Sequence, residues 1–271
     1  MERISTINCR NDNYDDVLCT MRCVNSIVDN YDNSVKSVAL GERILRQCLF
    51  SSIFKVPLSS ESSELFFRLV LQRSKCVAKA SADFMCLSNG LQNILLRDNI
   101  SSIAIIRFAA IDNIDDPEEM MKKSMGPTDF QIGTRLRHQV LNSSSSLQFD
   151  AGTLHFKCRN IHECFINSPS EERHQYLRSM IRSRVGYDQK LAPLISYAAL
   201  FSYDENTDYL GDSEKQVIDK MKENSILVIK RYLYLLYPSK NASVKLDHVL
   251  EILEALKATS KMLKQVDEHW H

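Results

Sequence analysis

Arg107 is the residue whose setting most constrains the chemistry of this chain. From Ile100 to Ile111 nearly every position is apolar, with no preferred face, and Arg107 is the only charge. A helix that is apolar all round but too short to span a membrane is normally a middle layer, covered on both sides by other helices. An unpaired charge there is very unfavourable. The guanidinium, with five donors and no acceptor, must therefore meet a carboxylate, backbone carbonyls, ordered water or a polar ligand atom. A ligand bearing a carboxylate, hydroxyl or keto group would satisfy it through charge-assisted hydrogen bonds.

Other chemistries find little support. The sequence holds no GxSxG, HExxH, P-loop or dinucleotide-binding fingerprint and no carboxylate pair in an apolar context, so it reads as a non-enzyme. Its eight cysteines show no CxxC pair and no His-rich partner segment of zinc-finger spacing. Cys19 and Cys23 form a CxxxC that fits one helical turn, but scattered reduced thiols are the better reading. Cys76, on the apolar face of a helical stripe, reads as core rather than nucleophile. No metal and no cofactor is expected.

The composition narrows the partners. Thirty-four basic residues balance 34 acidic ones without a concentrated Lys/Arg stripe, which disfavours direct nucleic-acid binding. The polar, acidic start MERISTINCRNDNYDD has no apolar signal core, so the sequons at Asn99, Asn142 and Asn241 read as chance matches. No apolar run approaches the roughly 20 residues of a spanning helix, and no membrane partner is expected.

The elements that must position Arg107 are helical. Residues 1–32 are polar and poorly defined, with a weak stripe through Val17, Met21, Val24 and Ile27. Val35–Phe54 is a better amphipathic helix, and Glu61–Ala82 carries a long packed stripe through Leu65, Phe66, Leu69, Val70, Cys76, Val77 and Ala80. Ser88 can cap the next helix, which runs through Asn99 into the apolar stretch. Residues 113–146 are polar and irregular, the most mobile region expected, with short helices at Glu118–Met125 and Thr134–Leu141. Leu147–Phe156 reads as a β-hairpin turning near Asp150–Gly152. Helical patterns follow at Ile161–Phe165, Ser168–Val185 (closed by Gly186), Asp188–Ser202, Asp212–Leu236 (ended by Pro238) and Ala242–Val266. The chain reads as one all-α domain of 271 residues with one hairpin.

This order of elements, with the stretch from Val77 to Asp112, resembles the ligand-binding domain of nuclear receptors. The family's pattern at the end of its third helix and in its fourth appears as Val77-Ala78-Lys79, Phe84, Leu87, Leu91-Gln92 and Leu95-Leu96-Arg97, with the spacings kept. Asp212–Ser239 looks like the ninth helix with its closing Tyr-Pro, and the last helix like the tenth. Arg107, ten residues after Arg97, is similar in position to the helix-five Arg of the vitamin D receptor, ecdysone receptor and related lipid or xenobiotic sensors. The resemblance implies a three-layer antiparallel helical sandwich around a pocket for a lipophilic ligand.

Several family features are altered. Leu91 replaces an Asp, Ala82-Asp83 replace Pro-Gly, and Ser102 replaces a Glu. Lys79 and Arg97 would form the basic clamp of the coregulator groove, yet two solvated basic residues are an equal reading. The positions one turn before each, normally apolar, hold Lys75 and Asn93, so an LxxLL helix should bind weakly. No two-zinc DNA-binding module precedes the domain, and the chain ends at VDEHWH with no acidic, apolar final helix.

The resemblance places Phe66, Phe67, Val70, Ser74, Ile103, Ala104, Phe108, Ile111 and Leu263 around the pocket beside Arg107, although ordinary core packing is the default for each. His155, like His162, could add a polar contact from the hairpin. The resemblance further implies transcriptional modulation through partners, in nucleus or cytoplasm. The partner would be a retinoid X receptor-like protein or a second copy, joined through residues 242–266. The alternative is a ligand-independent dimerisation or decoy module whose pocket is filled by its own side chains. The terminal Trp270 could pack on the groove.

Overall fold

A computed structural model describes residues 13–54, 59–111, 119, 122–123, 125–143, 169–186, 188–203 and 210–267. Among them are ten helices and no strand. The expected hairpin at Leu147–Phe156, the helix at Ile161–Phe165, His155, His162 and Trp270 lie outside the described residues. So does half of the expected helix at Glu118–Met125, of which Glu119, Lys122 and Lys123 are helical.

The helices are α1 (Asn13–Lys36), α2 (Gly41–Phe54), α3 (Ser60–Lys79), α4 (Ala82–Met85), α5 (Asn89–Ile111), α6 (Pro127–Ser143), α7 (Pro169–Val185), α8 (Leu191–Leu200), α9 (Asp212–Leu236) and α10 (Ser239–Asp267). Serines open three of them. The Ser59, Ser81 and Ser88 side chains accept from the backbone N–H groups of Ser62, Phe84 and Leu91, satisfying donors that a helix start leaves orphaned. Gly186 ends α7 at a positive φ of 61°, a conformation that a residue with a Cβ rarely adopts.

Helix α5 lies among α3, α7, α8 and α10, as its all-round apolarity requires. Leu95, Leu96, Ile100, Ile103, Ile106 and Ala109 are all buried. The helix feeds two apolar clusters: Leu91, Leu95 and Ile103 pack with Ala78, Phe84, Leu200, Phe201 and Ile218. Ile106 and Ala109 pack with Val24, Leu177, Ile181, Ile195, Ile229 and Leu253.

Helix α8 is buried almost throughout, so its ends need internal partners. Asp188 Oδ1 accepts from Lys190 N at 3.1 Å and Leu191 N at 3.2 Å. It also accepts from the Tyr232 hydroxyl at 2.8 Å, while Tyr237, the tyrosine of the Tyr-Pro pair, donates to Oδ2 at 3.1 Å. At the other end Asn99 Nδ2 donates to the carbonyls of Leu200 (3.2 Å) and Ser202 (2.6 Å), as well as to Leu95 O in its own helix. The amide of this sequon is thus buried and committed to structure.

Three expected element bounds differ in the structure. Residues 13–36, within and beyond the stretch expected to be poorly defined, form a full helix, because Val24 and Tyr31 bury its thin apolar stripe against α3, α8 and α9. The helix expected from Val35 starts only at Gly41, whose φ of 80° breaks the chain direction after α1. In the stretch expected to be irregular and mobile, residues 127–143 are one helix, packed against α2. Asp129 anchors it. Its carboxylate accepts from Leu40 N (2.5 Å) and Gly41 N (3.1 Å) at the start of α2 and pairs with Arg73 of α3 at 3.3 Å.

Gly126 seats the start of α6 on the end of α1. A Cβ at this position would lie 2.7 Å from the backbone oxygen of Lys36, which cannot swing away as a side chain could. Gly126→Ala is therefore expected to destabilise the chain by about 1–3 kcal/mol, measured by urea unfolding. A variant as stable as wild type would refute this close approach.

Candidate functional site

Arg107 sits on α5 with 6% of its surface exposed. Two polar residues from other helices share its surroundings. Tyr31, near the end of α1, is 8% exposed, and Ser196, in the middle of α8, is completely buried. The oxygens of both hydroxyls are sealed from solvent, and the Ser196 hydroxyl is within hydrogen-bonding reach of Tyr31. They are close enough to influence one another, and the Arg107 charge reaches Tyr31. Three helices thus bring a guanidinium and two hydroxyls, all able to donate, to one interior locality.

Burial pushes the Tyr31 phenol up from 10.0 to about 12; the Arg107 charge and the Ser196 hydroxyl work against that rise, and the Asp32 charge adds to it. Tyr31 is therefore a neutral donor at physiological pH.

The raised value has a consequence for stability. A phenol whose pKa is higher in the folded chain than in the unfolded one supports folding below pH 10, and that support is withdrawn as the pH rises to about 12. Tyr31→Phe cannot ionise. Its unfolding free energy relative to wild type is expected to improve by about 2–3 kcal/mol across that window, followed by urea unfolding at each pH. A difference independent of pH would contradict this environment for Tyr31.

The remaining residues expected at the site are distributed as follows. Ser74 of α3 and Ile103 and Ala104 of α5 are buried, Ile103 as part of the cluster around Phe84. Phe66, Phe67 and Val70 lie on α3, Phe108 and Ile111 on α5, and Leu263 on α10. Their side chains are not among those described. Lys79 is exposed in the last turn of α3. Arg97 is exposed on α5, where its Nε pairs with the buried Asp98 at 3.1 Å. Lys75 and Asn93, which flank them, are exposed too.

Sequence reasoning missed Tyr31 and Ser196. Tyr31 continues the stripe of Val24 and Ile27 one turn further, and a tyrosine on a buried face needs a partner for its hydroxyl. Ser196 interrupts the otherwise apolar run Leu191–Ile195, a second signal of the same kind. A separate groove of about 470 Å³ runs along the outer face of α6, lined by Phe130, Thr134, Arg135 and His138 among others. It is open to solvent and shares no residue with the interior site.

Among the described residues no group of His, Cys, Asp and Glu could hold a metal ion, and no helix is long and apolar enough to cross a membrane. Comparison of the chain with models of known protein families gives no match, and comparison with curated protein sequences gives none either.

Proposed function

We propose that this chain is a nuclear-receptor-like ligand-binding domain that holds a lipophilic small molecule, a lipid, sterol or xenobiotic, and modulates transcription through its partners. The observation that carries the reading is Arg107, a buried charge in the central helix, at the position where the family resemblance expects a ligand contact. The helix order, and the placement of α5 among α3, α7, α8 and α10, support a three-layer sandwich of that type. Binding would shift a conformational equilibrium and involves no covalent step.

The reading is tested by thermal shift with a panel of lipophilic acids, alcohols and ketones, on wild type and on Arg107→Ala and Arg107→Met. At 100 times its dissociation constant a ligand adds about 2.7 kcal/mol of stability. The wild type should gain it and both variants should lose it. Equal shifts in all three proteins would remove Arg107 from the site.

One set of observations favours a second reading, a ligand-independent dimerisation or decoy module. Val244 and Leu250 of α10 expose large apolar surface, as do Leu227, Tyr234 and Leu236 of α9. A stable dimer with no response to any lipophile would support that reading. In the first, the same helices would join a retinoid X receptor-like partner or a second copy, in the nucleus or cytoplasm.

A further inference from the structure

The groove on α6 shares nothing with the interior site, and its lining has a chemistry of its own. Two rows of side chains, each stepping four residues, run side by side along the helix: Phe130, Thr134 and His138, and Gln131, Arg135 and Gln139. Eight residues of helix rise about 12 Å, the length of about four residues of extended chain. Of these six side chains, five can donate a hydrogen bond and none is a carboxylate. The sixth, half-buried Phe130, offers an apolar contact.

Among the described residues around the groove, cations outnumber acids. Arg135 pairs with Glu42 of α2 at 2.7 Å, but the same carboxylate also holds Arg46 at 2.7 Å, so two guanidiniums share one negative charge. Lys122 adds a third cation, its Nζ 5.7 Å from the centre of the Phe130 ring. Asp129, on the same helix, is buried and committed to Arg73 and to the start of α2. Glu61 is matched one to one by Arg43. The side chains of Glu42, Arg46 and Arg135 are all exposed, and ion pairs in water are weak and exchange partners readily.

We propose that this groove docks an acidic segment of a partner protein, an extended stretch in which carboxylates flank an apolar pair of side chains. The apolar pair lies on Phe130, and a carboxylate takes up the guanidinium charge that Glu42 alone does not balance. Gln131 and Gln139 can bond to the backbone of the extended stretch. Charge complementarity selects this occupant, since a neutral or basic segment would leave the excess of cations uncompensated. The proposal goes beyond the receptor reading and holds whether or not Arg107 receives a lipophile.

The test follows fluorescence anisotropy of labelled peptides with the whole chain. The probes are Glu-Glu-Leu-Phe-Glu-Glu, a version with lysine for every glutamate, and a version with alanine for the Leu-Phe pair. Wild type is compared with Arg135→Glu and Gln131→Glu, whose melting temperatures should match it because both side chains are exposed. The acidic peptide should bind wild type and weaken as salt rises, and the lysine version should not bind. Affinity should fall about tenfold in Arg135→Glu and by a smaller factor in Gln131→Glu. The alanine version, which reports the contact with Phe130 without altering the fold, should also bind about tenfold more weakly. Equal affinity of the acidic peptide for wild type and both variants would overturn the proposal, as would no binding to wild type. Vesicles of anionic phospholipid held by wild type and released by Arg135→Glu, with no peptide bound, would assign the groove to a membrane surface. A dimer seen by light scattering and lost in Arg135→Glu, again with no peptide bound, would assign it to a second copy, and either result would overturn the acidic segment.

Discussion

Asp129→Ala is expected to destabilise the chain by about 3–5 kcal/mol, the usual consequence of removing one partner from a buried ion pair. Asp129 is 1% exposed and Arg73 3%. The carboxylate accepts from two backbone N–H groups at the start of α2 and from Arg73 Nη2, while Arg73 Nε donates to Val38 O at 2.9 Å. One side chain therefore fastens α6 to α3 and caps α2. Without it a guanidinium loses its countercharge and two backbone donors lose their acceptor. Asp129→Asn should recover only part of the loss, since its NH₂ group turns a donor toward donors. The double variant Arg73→Met/Asp129→Leu should be more stable than Asp129→Ala alone, because it leaves no charge unpaired. Urea unfolding of the four proteins checks the series. An Asp129→Ala variant within about 0.5 kcal/mol of wild type would show that the pair is not the anchor described.

Phe84→Ala is expected to have an effect of the same size, about 3–5 kcal/mol, through a different cause. Phe84 is completely buried, and its short helix α4 closes the cluster formed by Ala78, Leu91, Leu95, Ile103, Phe201 and Ile218. Four neighbouring helices, α3, α5, α8 and α9, contribute to that cluster, so they cannot all move inward to fill the space. The Tyr197 hydroxyl, which donates to Asp83 at 2.5 Å, fixes the position of α4 from α8 and further limits collapse. A loss below about 1 kcal/mol on urea unfolding would mean that the cluster repacks freely.

These two residues differ in how far sequence reveals them. Phe84 lies in a motif of local spacing, and its burial follows from the pattern of apolar positions around it. The same local signals give the central helix α5, its Ser88 cap, the end of α7 at Gly186 and both ends of α9. Asp129 carries no such signal. It sits in a polar stretch, and the N–H group of Leu40 that it accepts from is 89 residues away in the chain. Asn99 gripping the end of α8, 101 and 103 residues away, is hidden for the same reason. Helix α1 was faint because only a thin stripe of its surface meets the core, and α6 because its anchor is a carboxylate instead of an apolar face. The candidate site divides likewise. Arg107 stands out because one charge in an apolar run is visible locally. Tyr31 and Ser196 join it only when α1 and α8 are folded against α5.

The central claim is that the buried charge of Arg107 receives the polar end of a lipophilic molecule. Native mass spectrometry of the chain incubated with dodecanoate tests it most directly, with Arg107→Met as the control. The expected result is a one-to-one adduct on wild type that is absent from the variant, with both proteins retaining the same helical circular dichroism. An unliganded mass for wild type across the whole panel of lipophilic acids, alcohols and ketones, or an adduct equally abundant on the variant, would contradict it.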